Sequence, residues 1–234
     1  MAYLQAQQIV ARACAIAKAP GWISQGGIYL NMVLEDLWLH RDLKINRVTE
    51  FITVQANAYG PFTLPLNYLR TYDLFFEQNN LPYFLHPISP EEYDQEFKDP
   101  SIANYPYEFM TLLYDETTAQ ANQSAGQIFI YPQSSGQITL THRYMVKQPD
   151  IVAPETSTLI PWFPDQQYLI KRTAAELMSE TDDTRQESFL AQCNAMLATH
   201  IIMEGDEQAV VKSVRLDPRR FHTNRTLKPT KITD

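Results

Sequence analysis

The sequence predicts an α+β protein. Two N-terminal and two C-terminal helices form a helical bundle, interrupted by a β-barrel or sandwich insertion and ended by an extended C-terminal arm. Three observations predict it. Apolar residues recur at helical spacing at both ends of the chain, the period falls to two in the middle third, and an aperiodic basic stretch closes the sequence. The corresponding division is 1–46 for the N-terminal helices, 47–160 for the β-rich insertion, 161–205 for the closing helical hairpin and 206–234 for the arm.

The closing hairpin has the clearest signals. Phe189, Cys193, Met196, Leu197, His200 and Ile201 stand at i, i+4, i+7, i+8, i+11 and i+12, one face of a helix expected over 184–203. Its companion is expected over 164–178, opened by Pro161-Trp162-Phe163-Pro164, since proline at the start of a helix forfeits no useful N–H. The polar stretch 179–184 between them supplies N-caps.

Residues 2–18 are rich in alanine and predict a first helix with Leu4, Ile9, Val10, Ala13 and Ala17 buried. Small side chains there let a second helix approach closely. Pro20-Gly21 ends it. A second helix over 25–40 buries Leu30, Val33, Leu34, Leu37 and Trp38.

From Arg47 the pattern turns extended. Residues 47–54 and 72–76 predict strands, 82–87 extended chain, and 109–114, 127–131 and 137–144 three further strands, with Gly126 and Gly136 at turns. The proline-bracketed stretch 61–70 predicts a short helical turn. Ser89-Pro90-Glu91-Glu92 predicts a short helix, with serine as N-cap and acids in the first turn. Residues 150–160 predict an extended connection into the closing hairpin. After Gly205, Val210, Val211, Val214 and Leu216 predict a short strand or docking segment.

With 44% hydrophobic and 20% charged residues, the 234-residue chain is globular in composition. Its net charge of −8 is unevenly spread. Residues 72–120 hold ten acids against one base, whereas 212–234 hold seven Lys/Arg against two Asp. An acidic body of this kind disfavours general DNA binding, because phosphate contacts dominate such affinity. The two cysteines, Cys14 and Cys193, are expected as buried free thiols in a reducing compartment. No signal peptide or membrane span is expected, and the protein is expected to be made in a cytoplasm.

Signatures of chemistry are sparse. The five histidines have no metal-ligand spacing, no phosphate-binding or nucleophile-elbow motif occurs, and no metal or cofactor is expected. Glu91, Glu92 and Asp94 offer an acid–base pair for a cell-wall glycan hydrolase, although a solvated helix face accounts for them as well. The 24 Tyr and Phe residues offer base-stacking platforms for a single-stranded nucleic-acid module, but basic residues are not interleaved among them.

The order of parts resembles the head-to-tail adaptor (head-completion, or portal-adaptor) proteins of tailed bacteriophages, of the short-tailed type. Leu64-Pro65-Leu66-Asn67-Tyr68-Leu69-Arg70 is similar to the family's proline–small polar–aromatic-Leu-Arg run. Gln127-Ile128-Phe129-Ile130-Tyr131-Pro132 followed by Gly136 through Tyr144 looks like the family's hairpin. Pro161-Trp162-Phe163-Pro164 looks like the usual opening of the closing helices. The resemblance spans about 64–203. It implies a structural virion protein without enzymatic activity, forming a twelve-copy ring between the portal ring and the tail nozzle around the DNA channel. It also implies an arm that grips portal or neighbour, for which Arg215, Arg219, Arg220, Phe221 and Arg225 are the expected residues. Trp38, Trp162 and Phe163 are expected to pack between ring neighbours. Some relatives are credited with cell-wall hydrolysis, but no family catalytic residue maps onto a motif here.

Overall fold

The computed structural model describes residues 3–96, 103–113 and 126–203. Among the described residues, five α-helices and ten strands run in the order α1 (Ala6–Ile16), α2 (Ile23–His40), β1 (Arg47–Val54), β2 (Phe62–Thr63), β3 (Tyr68–Gln78), β4 (Leu81–Phe84), β5 (His86–Pro87), α3 (Pro90–Glu96), β6 (Ala103–Asn104), β7 (Glu108–Leu112), β8 (Gln127–Tyr131), β9 (Gln133–Ser134), β10 (Ile138–Val146), α4 (Gln166–Glu180) and α5 (Gln186–Met203). The protein is mixed α+β, with both terminal helix pairs packed together. The arm expected at 206–234 lies outside the described residues.

The bundle is centred on α4, which packs against α1, α2 and α5. The expected stripes carry its core. Ile9, Val10, Ala13, Leu30, Val33, Leu34, Leu37, Leu177, Cys193 and Leu197 belong to one buried cluster. Close approach of α1 and α2 is enforced at Gly26. A Cβ there would come within 3.0 Å of Cys14 Sγ and 3.1 Å of Val10 Cγ1. Asp165 caps α4, accepting from the Tyr168 N–H at 3.0 Å. Thus the helix starts two residues beyond the expected proline, at Gln166. Tyr29 on α2 donates to Glu180 Oε1 at 2.6 Å and fixes the far end of α4. Both cysteines are buried and free, and burial pushes their thiols up.

The insertion holds two four-stranded sheets, ordered β1-β10-β3-β4 and β2-β8-β7-β5, with a two-stranded β6-β9 pair. Val54, Leu74, Phe76, Leu140 and Tyr144 of the first sheet share one core with Phe109, Ile128 and Ile130 of the second. Separate ladders around a common interior make this a sandwich.

Two local expectations are corrected here. Residues 61–70 are not helical: β2 and the start of β3 occupy them, joined by a turn in which the Tyr68 N–H donates to Pro65 O at 2.9 Å. The stretches 127–132 and 136–144 are not a hairpin either. β8 pairs with β7 and β2, whereas β10 pairs with β1 and β3. Between them Pro132 and β9 carry the chain from one sheet to the other.

A strap, residues 147–165, ties the two modules. Its carbonyls accept from the first turn of α1: Ala6 N–H donates to Leu159 O at 2.8 Å and Gln7 N–H donates to Ser157 O at 3.1 Å. Asn31 of α2 holds both backbone groups of Ile151, donating at 3.0 Å and accepting at 3.2 Å. At Gly27 a Cβ would meet the movable Glu155 Oε2 at 2.8 Å and the Glu155 backbone N at 3.3 Å, so the strap lies close on α2 at this position. From the sheet side, Arg70 of β3 binds Asp42 and donates to Leu39 O at 3.1 Å, at the end of α2.

Candidate interaction surfaces

Of the three residues expected between neighbours, Phe163 is placed inside this chain. It is 1% exposed and meets Tyr168 and His200 edge-on, with ring centroids 5.3 and 4.9 Å away. It has no surface to offer another copy, and the expectation is corrected: the Trp-Phe pair leading into α4 plugs the bundle. Trp162 lies half-buried against Phe163, and Trp38 is half-buried near the end of α2. Trp162 packs against the buried bundle core. The arm residues Arg215, Arg219, Arg220, Phe221 and Arg225 lie outside the described residues.

A different apolar surface was missed. On α2, Ile28 and Met32 are each 52% exposed, and Leu39 follows on the same side at i+11. The signal was present: on the face opposite its core stripe α2 carries Ile28, Met32 and Leu39 among the polar Ser24, Gln25 and Glu35, more apolar groups than a solvated face needs. Within that outward stripe only Glu35, at i+7, is charged.

The acidic cluster proves to be a helix start. Ser89 Oγ accepts from the Glu92 N–H at 3.2 Å, while Glu92 Oε2 accepts from the Ser89 N–H at 3.0 Å and from its hydroxyl at 3.1 Å. This reciprocal pair is a capping box. The bonds from Ser89 hold the Glu92 carboxyl below its ordinary range, opposite to the direction a general acid requires. Glu91 and Asp94 are exposed on α3, and Tyr93 of the same helix is buried against Phe129 and Tyr131 of β8. The cluster is the outer face of a helix pinned to the second sheet.

One buried titratable group stands in the sandwich. His142 of β10 is fully buried, with Nε2 2.9 Å from Thr71 Oγ1, which in turn lies 2.9 Å from the Tyr68 hydroxyl. Tyr144 stacks on its ring at 4.8 Å. Nδ1 has no hydrogen-bond partner among the described residues. Desolvation pushes this imidazole down to about 4, so it is neutral near pH 7. The network braces β3 against β10, and its Tyr68 and Thr71 also line a cleft on the sandwich, while His142 itself stays buried behind them.

Among the described residues, no group of three or more His, Cys, Asp or Glu could hold a metal ion, and no helix is long and apolar enough to cross a membrane. No protein-family model and no curated protein matches the chain.

Proposed function

We propose that this protein is a structural head-to-tail adaptor of a short-tailed bacteriophage, assembling as a ring, of twelve copies, that joins the portal to the tail nozzle around the DNA channel. The observation that carries the reading is the arrangement of parts. Helix pairs from both ends of the chain close one bundle, and a β sandwich is inserted between them. A basic sequence follows the last helix. The bundle supplies a rigid wall element, and the outward apolar stripe of α2 is the surface we assign to a neighbouring copy. The acidic body lets DNA pass without adhering. Arg215, Arg219, Arg220, Phe221 and Arg225 grip the portal or the adjacent copy. The role is structural, and the protein resides at the head–tail junction of the virion.

The test is a mass measurement on the purified protein, alone and mixed with its portal ring, for the full chain and for a chain ending at Gly205. The reading expects multi-copy loading of the portal by the full chain and none by the folded truncation. A full chain that stays unassociated at micromolar concentrations would overturn the adaptor reading. A truncation that still loads the portal would remove the arm from it.

A further inference from the structure

Two clefts open on the β sandwich, and their linings differ in chemistry. The larger, about 500 Å³, mixes Arg70, Asp73 and His86 with the aliphatic Leu74 and Leu85. The other, about 470 Å³, lies where β3 ends and β10 begins. Both volumes fall within the roughly 300–1,000 Å³ of small-molecule sites. The first carries charged groups of both signs, whereas the second sets aromatic rings beside polar side chains with no basic group among the described residues.

In it Phe51 and Tyr105 supply aromatic rings, and Glu77, Gln78, Gln137 and Thr139 supply polar side chains. Phe51 leaves 67% of its surface open, in a sheet position flanked by threonines rather than by other apolar groups. A solitary exposed ring among hydroxyls and amides is poorly explained by packing. Tyr105 is set in place. Its ring stacks on the buried Phe76, 5.8 Å away with 15° between planes, and its hydroxyl accepts from Gln78 Nε2 at 2.6 Å. The polar groups therefore surround rings that are fixed or framed by strand backbone.

The lining selects among ligand classes. It contains no Lys, Arg or His among the described residues, so a phosphate or sulfate group would find no counter-charge. β10 lies between β1 and β3, and β3 lies between β10 and β4, so their backbone groups are already paired and offer little to an added peptide strand. What remains is aromatic faces for C–H groups, with amide, hydroxyl and carboxylate groups that donate to or accept from neutral hydroxyls. A sugar ring presents both surfaces at once, an apolar C–H face and an equatorial belt of hydroxyls.

We infer that the cleft between the end of β3 and the start of β10 is a binding site for a neutral oligosaccharide, with Phe51 and Tyr105 as stacking platforms and Glu77, Gln78, Gln137 and Thr139 as hydroxyl partners. This goes beyond the adaptor reading and does not depend on it. It assigns binding only, with no bond made or broken.

The experiment titrates the full chain with maltotriose, cellotriose and chitotriose, each to about 10 mM, by calorimetry and by perturbation of NMR signals. At least one is expected to bind. Its Kd should change less than about twofold between about 50 and about 500 mM salt, since no ion pair is made. Phe51→Ala and Gln137→Ala, both at exposed side chains, should each weaken binding about tenfold while leaving the melting temperature unchanged. A sulfated disaccharide serves as the charged control and should not compete. The inference is overturned if none of the three sugars binds, if both variants bind as the parent does, or if the sulfated sugar binds more tightly than the neutral ones.

Discussion

The bundle and the sandwich build their cores from different side chains. Among the described residues, five of the 23 buried in the helical core are alanines, whereas none of the 12 in the sandwich core is. Alanine and Gly26 let helix axes approach until backbone nearly meets side chain, so the bundle depends on close backbone packing. The sandwich instead fills the wider gap between sheets with Tyr68, Phe76, Phe109 and Tyr144, and encloses a polar network around His142. One module is held by shape, the other by bulk around a buried polar network that leaves His142 Nδ1 without a hydrogen-bond partner among the described residues. Each should therefore fail under a different perturbation.

The largest effect is expected from Phe163→Ala. The ring is among the largest fully buried side chains and touches both closing helices through Tyr168 and His200. Deleting it from a tightly packed interior should cost about 3–5 kcal/mol. Urea unfolding, followed by tryptophan fluorescence and by far-ultraviolet dichroism, reads the loss. If the two cores melt as one unit, both signals shift together. If only an early helical transition shifts, the modules are energetically separate. A loss under about 1 kcal/mol would mean that Phe163 is not the plug described here.

Acid should strike the other module. His142 titrates near 4 when folded and near 6.5 when unfolded, so the unfolded chain binds its proton first as pH falls. The contribution is fully present above pH 6.5 and is lost progressively down to pH 4, by about 3 kcal/mol for this burial-driven shift. Glu50 is its cross-strand neighbour, yet desolvation sets the direction. The urea midpoint should fall over that window in the parent. In His142→Gln, which retains a hydrogen-bonding side chain toward Thr71, that part of the slope should vanish. An unchanged slope in the variant would show that His142 is not the group titrating.

The same contrast explains what could be read in the sequence. Helix faces announce themselves locally: Phe189, Cys193, Met196, Leu197, His200 and Ile201, expected on one face, are all buried or half-buried. Strand existence was equally local, and β1 and β8 coincide with their expected spans. Strand partnership was not. Whether Ile128 and Leu140 face each other from two sheets or pair within one hairpin depends on the path of residues 132–137, which no period records. The exposed stripe on α2 was legible as apolar excess, but its meaning required knowing that α1 and α4 already cover the opposite face. The oligosaccharide cleft was invisible because Phe51, Gln78, Tyr105 and Gln137 are far apart in sequence. Phe51 alone reads as an ordinary strand residue.

The smallest effect tests the join between the modules. Asn31 is half-buried on α2 and is the only side chain described here that satisfies both the N–H and the carbonyl of one strap residue, Ile151. Asn31→Leu favours the helix more than asparagine does, so it does not weaken α2 itself, but it leaves both backbone groups without that partner. The expected cost is about 1–2 kcal/mol, toward the low side because water can reach part of the site. More telling than the total is its location. Hydrogen exchange should accelerate at the Ile151 amide and its neighbours in the strap, with the amides of Leu169 and Leu140 nearly unaffected, since the loss opens the strap without opening either core. Uniform acceleration across both cores would mean that the strap is the element coupling bundle and sandwich into a single cooperative unit. No acceleration at Ile151 would show that the strap is held by its bonds to α1 alone, at Leu159 and Ser157.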